Sequence, residues 1–429
     1  MNSEIPKEKQ VMKVSNMAEN LIGSEILKLA AEINNKIKQG EKIYNMTVGD
    51  FNPKIFPIPR ALKEEIIKAY EQDETNYPPA SGVFDLVESV SCFLKKRLNL
   101  DYSSDNILIA GGARPLIYGV YKAILDPQDT VLYPVPSWNN NHYCHLAGCN
   151  QVFVETKPEN NFMPTADELS HHLSKAQLIA LCSPLNPTGT TFSKEGLQEI
   201  CELIIAENKR RSPDEKPLYV LYDQIYWTLM HGNTQHFNPV TLYPELKEYT
   251  IFIDGLSKAF AATGVRVGWG FGPKHVIDKM KAIIGHVGAW APRAEQVATA
   301  NYLRQDENIN TYLKDLKAEV AYRLDNLYEG FITLKSKGYK VDAIVPQAAI
   351  YLTVQIDLKG KIKADGSKLN TTADVTRYIL EDAKIGIVPF SAFGASEDSS
   401  WYRISVGTAQ KADIQGLLEN LENSLKKLK

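Results

Sequence analysis

Hydrophobic and polar positions follow two patterns along the chain. Between about residues 100 and 275, short apolar runs alternate with amphipathic stretches, which is typical of a parallel sheet with helices on its faces. The fold class is therefore predicted to be α/β. The predicted strands are residues 106–110, 130–133, 177–182, 218–222, 250–253 and 266–271.

Beyond about residue 300 the pattern changes to long helices, four short apolar runs and a final helix whose apolar stripe runs from Ile414 to Leu428. This predicts a smaller α+β domain after the large one. Residues 61–300 are predicted to form the large domain. Residues 1–60 are too short for a domain, and we expect them to join residues 301–429 or to reach a neighbouring subunit.

Polar or glycine-rich segments follow five of the predicted strands. They are GGARP at 111, PSW at 136, SPLNPTG at 183, Asp223, and GLSK at 255. In open parallel sheets ligands bind at the carboxyl ends of the strands, so these segments should converge on one site.

Composition narrows the class of ligand. Lys and Arg number 48 against 51 Asp and Glu, so no broad field favours nucleic acid or an anionic membrane. No stretch approaches the roughly 18 apolar residues of a membrane span, and MNSEIPKEKQ lacks a signal core. Five scattered cysteines suit reduced thiols, which predicts a cytoplasmic location. The set His142, Cys144, His145 and Cys149 matches no common zinc spacing, and no metal is predicted.

Four charged side chains are candidates for chemistry. Lys258 follows the apolar run TIFID, where an amine of lowered pKa could attack an aldehyde, although most lysines are surface charges. Asp223 follows LYVLY, where a carboxylate caps a helix or meets a cation. Arg266 and Arg403 lie in apolar strands, and each needs an anion, either a ligand or a structural partner.

Two further features have both a functional and a structural interpretation. Gly111 and Gly112 could bring backbone N–H groups to a phosphate or simply start a helix. Trp138 could stack on a planar ring or belong to the core. Taken together, the segments at the strand ends match the needs of a phosphorylated aromatic aldehyde.

The segments NYPPASG, GGARP, PSW, SPLNPTG, YDQIY, SKAFAATGVRVGW and YRIS resemble the class I/II aminotransferases, pyridoxal-phosphate (PLP) enzymes of fold type I related to aspartate aminotransferase. The resemblance covers nearly the whole chain. It implies a mostly parallel seven-stranded sheet, a homodimer, and ping-pong transfer of an amino group from an L-amino acid to a 2-oxo acid. Neither nucleic acid nor membrane is an expected partner.

The resemblance also implies roles for individual residues. Lys258 forms the internal Schiff base and moves the proton from the substrate Cα to the cofactor C4′. Asp223 pairs with the pyridine nitrogen. The other implied roles are Asn186 and Tyr226 on the ring 3-oxygen, Trp138 stacked on the ring, Gly112, Ala113 and Arg266 on the phosphate, Tyr77 on the phosphate of the other subunit, and Arg403 with Gly49, Asn186 and Trp138 around the substrate.

Three departures from the family pattern leave the amino donor open between aspartate and a hydrophobic or aromatic amino acid. Gly255 stands where many relatives have a phosphate-binding Ser. Ala113 stands where one bacterial aspartate-specific subgroup has a Lys that binds the distal carboxylate. Arg114 or Arg293 could substitute for that Lys, or both could be exposed residues without a role in substrate binding. PQAAIYL replaces the usual glycine and phenylalanine of that segment and alters the wall near the substrate.

Three other functions compete with this interpretation. A lyase or decarboxylase of the same fold would share Lys258, Asp223 and Arg266, since fold and cofactor residues do not settle reaction type. A non-catalytic sensor protein predicts an added DNA-binding region, and the sequence suggests none. A dinucleotide oxidoreductase is disfavoured because GGARP and GWGFG lack the G-x-G-x-x-G fingerprint.

Overall fold

The structure is a computed structural model that describes residues 14–21, 23 and 25–429; the segment MNSEIPKEKQ, predicted to lack a signal core, lies outside these residues. The strands are β1 (Tyr44–Asn45), β2 (Ile107–Ala110), β3 (Thr130–Val135), β4 (Asn150–Glu155), β5 (Leu178–Cys182), β6 (Tyr219–Asp223), β7 (Thr250–Gly255), β8 (Gly268–Phe271), β9 (Val341–Ala343), β10 (Tyr351–Ile356), β11 (Ile385–Gly386), β12 (Val388–Pro389) and β13 (Trp401–Ser405). The helices are α1 (Asn16–Glu19), α2 (Glu25–Lys38), α3 (Arg60–Glu71), α4 (Phe84–Leu98), α5 (Ala113–Ile124), α6 (Asn140–Ala147), α7 (Ala166–Ser170), α8 (Lys194–Arg210), α9 (Pro239–Leu242), α10 (Leu256–Ala259), α11 (Lys274–Val287), α12 (Arg293–Leu303), α13 (Asp306–Ser336), α14 (Thr372–Glu381) and α15 (Asp413–Lys426).

The main sheet has seven strands in the order β2-β8-β7-β6-β5-β3-β4. Four neighbouring pairs are parallel, and β8 runs antiparallel to both β2 and β7. The α/β class and the mostly parallel sheet are therefore confirmed. The edge strand β4 was not among the predicted strands, because its residues NQVFVE are mostly exposed and form no continuous apolar run.

One predicted strand begins too early. Residues 266–271 were predicted, but the strand starts at Gly268. Arg266 has a φ of +61°, in the left-handed region, which cannot continue a pleated strand. The prediction that Arg266 lies within a strand is thus wrong, and the side chain instead leaves a turn.

Alternation along β6 shows how the sheet is covered on both faces. Val220 and Tyr222 pack in a hydrophobic cluster with residues of α4, α8 and α12. Leu221 points the other way, into a cluster with residues of α5 and α11. Each such fully buried side chain contributes about 1.5 to 3 kcal/mol to folding.

A second, four-stranded antiparallel sheet has the order β12-β13-β10-β9 and packs with α13, α14 and α15 in its own hydrophobic cluster. The N-terminal strand β1 pairs in parallel with β11. The loop after β5 is tied to this part of the chain, since the Thr353 hydroxyl donates to the carbonyl of Thr188 at 2.8 Å. Among residues 14–21, 23 and 25–429, no helix combines the length and hydropathy needed to cross a membrane.

Candidate active site

Lys258 lies in the short helix α10, directly after strand β7 of the main sheet. Its Nζ donates to the carbonyl oxygen of Gly49 at 2.6 Å and lies 5.9 Å from the ring centre of Phe51. Burial lowers the pKa of Lys258 to about 8. The positive charges of nearby arginines lower this pKa further, and the negative charge of Asp50 raises it. An amine with this pKa is partly unprotonated at neutral pH, as a nucleophile or base must be.

Asp223 ends the neighbouring strand β6. Its Oδ1 accepts a hydrogen bond from the backbone N–H of Ile225 at 3.0 Å, so it caps a turn and not a helix. Burial raises the pKa of Asp223 to about 6. Within the described part of the chain it has no ion-pair partner, and this suits it to a cationic group on a ligand.

A second buried carboxylate, Asp254, was missed by the sequence analysis. It is 1% exposed and accepts hydrogen bonds from Trp227 Nε1 and the Gly255 N–H, each at 2.7 Å. Burial raises the pKa of Asp254 to about 7, and the charge of Asp223 adds to this rise. The signal was available: Asp254 follows the apolar run TIFI just as Asp223 follows LYVLY.

Arg266 meets the glycine-rich turn that follows β2. Its Nη2 donates to the carbonyl of Gly111 at 3.0 Å and its Nη1 to that of Thr263 at 2.7 Å. Gly112, at the N-cap of α5, has a φ of +96°, and a Cβ there would lie 2.2 Å from Arg266 Nη2. The glycine therefore keeps open a cradle between a guanidinium and the N-terminus of a helix, whose first residue is Ala113.

Arg403, on β13, is 1% exposed. Its Nη1 donates to Asn186 Oδ1 at 3.0 Å and its Nη2 to the carbonyl of Thr47 at 2.5 Å. Its Nε has no hydrogen-bond partner, and no carboxylate pairs with it in the described residues. Burial lowers the pKa of Arg403, and a buried guanidinium in such surroundings calls for an anion.

Tyr226 and Tyr351 meet at the centre of the site, with their hydroxyl oxygens 2.5 Å apart. The Lys258 Nζ lies 5.7 Å from the ring centre of Tyr226. A Cβ on Gly49 would lie 2.7 Å from the Tyr351 hydroxyl, so this glycine keeps the space open. Tyr351 was missed because its contacts in the site join residues far apart in sequence, Tyr226 among them at 125 positions.

Two predicted site residues lie at the margin of this group. Trp138 is half-buried; its ring centre is 6.4 Å from that of Phe393 and 5.4 Å from the guanidinium carbon of Arg114. Tyr77 is 83% exposed and packs edge-on against Trp290. Within one chain, therefore, Tyr77 points to solvent.

Two other sequence features have clear surroundings. A Cβ at Gly255 would lie 2.8 Å from the Cα of Gly268, so the close approach of β7 and β8 explains the glycine at this position. Arg293 forms an ion pair with Glu74 at 2.5 Å. This engagement leaves Arg293 less free for a substrate than the exposed Arg114.

The histidines and cysteines considered for zinc lie on or just after α6. His145 Nε2 is 2.7 Å from the carbonyl of Met17, and Cys149 Sγ lies 3.6 Å from the carbonyl of Cys144. Within the residues that the structure describes, no group of three or more such side chains has a metal-binding arrangement.

Known proteins resemble this chain along most of its length. The family model for aminotransferase class I and II matches residues 41–421. An aspartate aminotransferase of Rhizobium meliloti (strain 1021) is 27% identical over 401 residues, covering 93% of this chain and 92% of that protein. The bifunctional aspartate aminotransferase and glutamate/aspartate-prephenate aminotransferase of Petunia hybrida is 29% identical over 400 residues, covering 92% and 78%.

The fold comparison agrees. The crystal structure of the aspartate aminotransferase from Rhizobium meliloti matches with a TM-score of 0.88 at 26% identity, covering 97% of this chain and 100% of that chain. The predicted PLP fold type I is thus confirmed. With its sequence matched from residue 41 to residue 421, the chain belongs to the class I and II aminotransferase family.

Proposed function

We propose that this aminotransferase works with pyridoxal 5′-phosphate bound to Lys258, and moves an amino group from an L-amino acid to a 2-oxo acid by a ping-pong mechanism. The observation that carries the proposal is that a buried lysine of lowered pKa shares one site with charged groups that lack ionic partners. Asp223, Arg266 and Arg403 have no ion pair within residues 14–21, 23 and 25–429.

The residues present fit this cofactor in chemistry and in space. Arg266 and the cradle at Gly112 suit a phosphate, since helix N-termini and guanidinium groups both bind anions. Asp223 suits a protonated pyridine nitrogen. The partnerless Nε of Arg403 suits the α-carboxylate of a substrate, to which Gly49, Asn186 and Trp138 would be adjacent.

When bound, the cofactor supplies an aldehyde for the amine and an electron sink that stabilises negative charge at the substrate Cα. The chain supplies the groups around it. Lys258 Nζ would serve as the base that takes the proton from the substrate Cα. Asp223 holds the proton on the ring nitrogen, and Tyr226 with Asn186 directs hydrogen bonds to the ring 3-oxygen.

The remaining proposed contacts orient the cofactor. Trp138 packs on one side of the ring, and Gly112, Ala113 and Arg266 hold the phosphate. Fixing a reactant in this way lowers the activation barrier, because the entropy cost of orienting it is met on binding and not at the transition state.

The amino donor stays open between aspartate and hydrophobic or aromatic amino acids. Relatives are named for aspartate and prephenate. In this chain the candidate cations for a distal carboxylate are Arg114, which lies over Trp138, and Arg293, which is paired with Glu74. A donor panel must therefore include both classes.

The assembly, location and domain division are proposals of the same kind. We infer a homodimer in which Tyr77 reaches the partner's phosphate site; its 83% exposure supports a contact outside its own chain. We infer a large domain of residues 61–300 and a small domain of residues 1–60 and 301–429, supported by two hydrophobic clusters whose members fall mostly on one side of this division. Free thiols on all five cysteines support a cytoplasmic location.

The half-reactions test the proposed function directly. The near-visible absorbance of the cofactor-loaded protein is recorded while amino acids, then 2-oxoglutarate, are added. We expect the band to disappear with a donor and return with the oxo acid. A band that returns without an oxo acid while the amino acid is consumed would instead indicate lyase or decarboxylase chemistry.

A further inference from the structure

Tyr351 contacts three parts of the site. Its hydroxyl is 2.5 Å from that of Tyr226, and its ring centre is 4.8 Å from the guanidinium carbon of Arg403. The same hydroxyl lies against Gly49, whose carbonyl accepts the hydrogen bond from Lys258. Tyr351 also opens β10, where Thr353 pairs in register with Arg403.

The two hydroxyls share a single hydrogen bond. Burial raises the pKa of both Tyr226 and Tyr351, so both stay protonated at neutral pH. Each hydroxyl can donate once, and only one of the two hydrogens can lie between the oxygens. The other O–H must therefore point elsewhere, and its direction depends on which tyrosine donates.

The surroundings favour Tyr351 as the donor once the site is filled. If Tyr226 were the donor, the Tyr351 O–H would need another acceptor. The Arg403 guanidinium beside Tyr351 can only donate hydrogen bonds, so it cannot be that acceptor. The ring centre of Tyr226 lies 5.7 Å from Lys258 Nζ, so Tyr226 borders the space assigned to the cofactor. Tyr226 can donate into that space only if it accepts from Tyr351.

We propose that Tyr351 is a positioning residue that donates its hydroxyl hydrogen to Tyr226 and so directs the Tyr226 O–H at the ring 3-oxygen of the bound cofactor. This inference rests on the proposed function. Accepting a hydrogen bond makes a hydroxyl a stronger donor. A stronger donor to the 3-oxygen stabilises its negative charge, and so keeps the pKa of the lysine-bound cofactor low.

The test is a pH titration of the cofactor-loaded protein without substrate, followed by its near-visible absorbance band. The midpoint of the change in the band gives the pKa of the lysine-bound cofactor, here called the band's pKa. Tyr351→Phe keeps the ring over Arg403 and removes only the hydroxyl. We expect the pKa of the lysine-bound cofactor to rise by about 0.5 to 1 unit, because without Tyr351 the Tyr226 O–H can turn away and its hydrogen bond to the 3-oxygen is lost. Tyr402→Phe is the matched control: Tyr402 is buried in the same small sheet, and its hydroxyl donates to the Thr372 carbonyl at 3.5 Å, on α14.

The double variant separates positioning from a general effect. In a Tyr226→Phe background, Tyr351→Phe should add no further shift. The inference is overturned if Tyr351→Phe leaves the band's pKa unchanged, or if it shifts that pKa equally with and without the Tyr226 hydroxyl. A wild-type protein with no near-visible band would instead defeat the proposed function.

A second substitution covers the case in which Tyr351→Phe does not fold. Fluorotyrosine incorporated at position 351 makes the hydroxyl a stronger donor without removing it. The band's pKa should then fall, and a rise or no change would contradict the inference.

Discussion

The Lys258 Nζ donates a hydrogen bond to the carbonyl oxygen of Gly49 at 2.6 Å. This bond links α10, the helix after β7, to the segment that precedes α3. The amine can attack an aldehyde only in its unprotonated form.

Capture of pyridoxal phosphate by the cofactor-free protein should therefore depend on pH. Because the pKa of Lys258 is lowered to about 8, the rate should rise with pH and level off above about pH 8. Stopped-flow absorbance at a series of pH values measures it. A rate that keeps rising to the ordinary lysine pKa would show that burial does not tune this amine.

Asp50 should shift that profile in a known direction. Its charge raises the pKa of Lys258, so Asp50→Asn should lower the pKa further and move the capture profile to lower pH. The control Asp278→Asn alters an exposed carboxylate on α11 that forms an ion pair with Lys274. The idea is wrong if both variants give the same profile.

Asp223 should make the cofactor-free protein less stable at neutral pH. Its pKa is raised from 3.8 to about 6 in the folded state. The folded state binds the proton more tightly than the unfolded state. The stability that this raised pKa contributes is thus fully present below pH 3.8 and is lost as the pH rises through about 6. Asp223→Asn should raise the free energy of unfolding at pH 8 by about 1 to 3 kcal/mol while weakening cofactor binding.

Urea unfolding at pH 4 and pH 8, with and without pyridoxal phosphate, checks this. The difference between wild type and Asp223→Asn should appear at pH 8 and shrink at pH 4. Equal stabilities at both pH values would show that the Asp223 carboxylate is not penalised by burial.

Part of this site could be predicted from sequence. Lys258, Asp223 and Asn186 follow apolar strands, and a parallel sheet brings strand ends together whatever the rest of the fold does. Asp254 follows an apolar run in the same way and carried the same signal. Tyr351 could not be assigned in this way, because its role depends on a contact with Tyr226, 125 positions away in sequence. Such contacts leave no periodic signal.

The conformation of single residues was equally out of reach. Arg266 sits in an apolar sequence that predicts a strand, yet its left-handed φ turns the side chain towards Gly111. The edge strand β4 shows the reverse case, since hydrogen bonding to β3 makes a strand of a sequence without an apolar run.

Gly112→Ala should weaken cofactor binding. The new Cβ would collide with Arg266 Nη2, and the φ of +96° disfavours any side chain. We expect at least a tenfold rise in the dissociation constant for pyridoxal phosphate, about 1.4 kcal/mol, measured by equilibrium dialysis. Gly285→Ala, on α11 with open space around it, is the control and should leave binding unchanged.

Arg403→Lys should impair substrate use far more than cofactor binding. Lysine keeps the charge but loses the two-pronged geometry that a carboxylate needs. We expect kcat/KM to fall by about 30-fold or more, a loss of roughly 2 kcal/mol, with the cofactor spectrum unchanged. Steady-state kinetics measure this, and an unaltered kcat/KM would remove Arg403 from the substrate site.

The most direct test of the central claim is chemical. The cofactor-loaded protein is reduced with borohydride, which fixes an imine to its lysine, then digested and analysed by mass spectrometry. The account predicts the phosphopyridoxyl group on the peptide that contains Lys258, and its absence after reduction of Lys258→Ala. A label on another lysine, or none on the wild-type protein, would contradict the account.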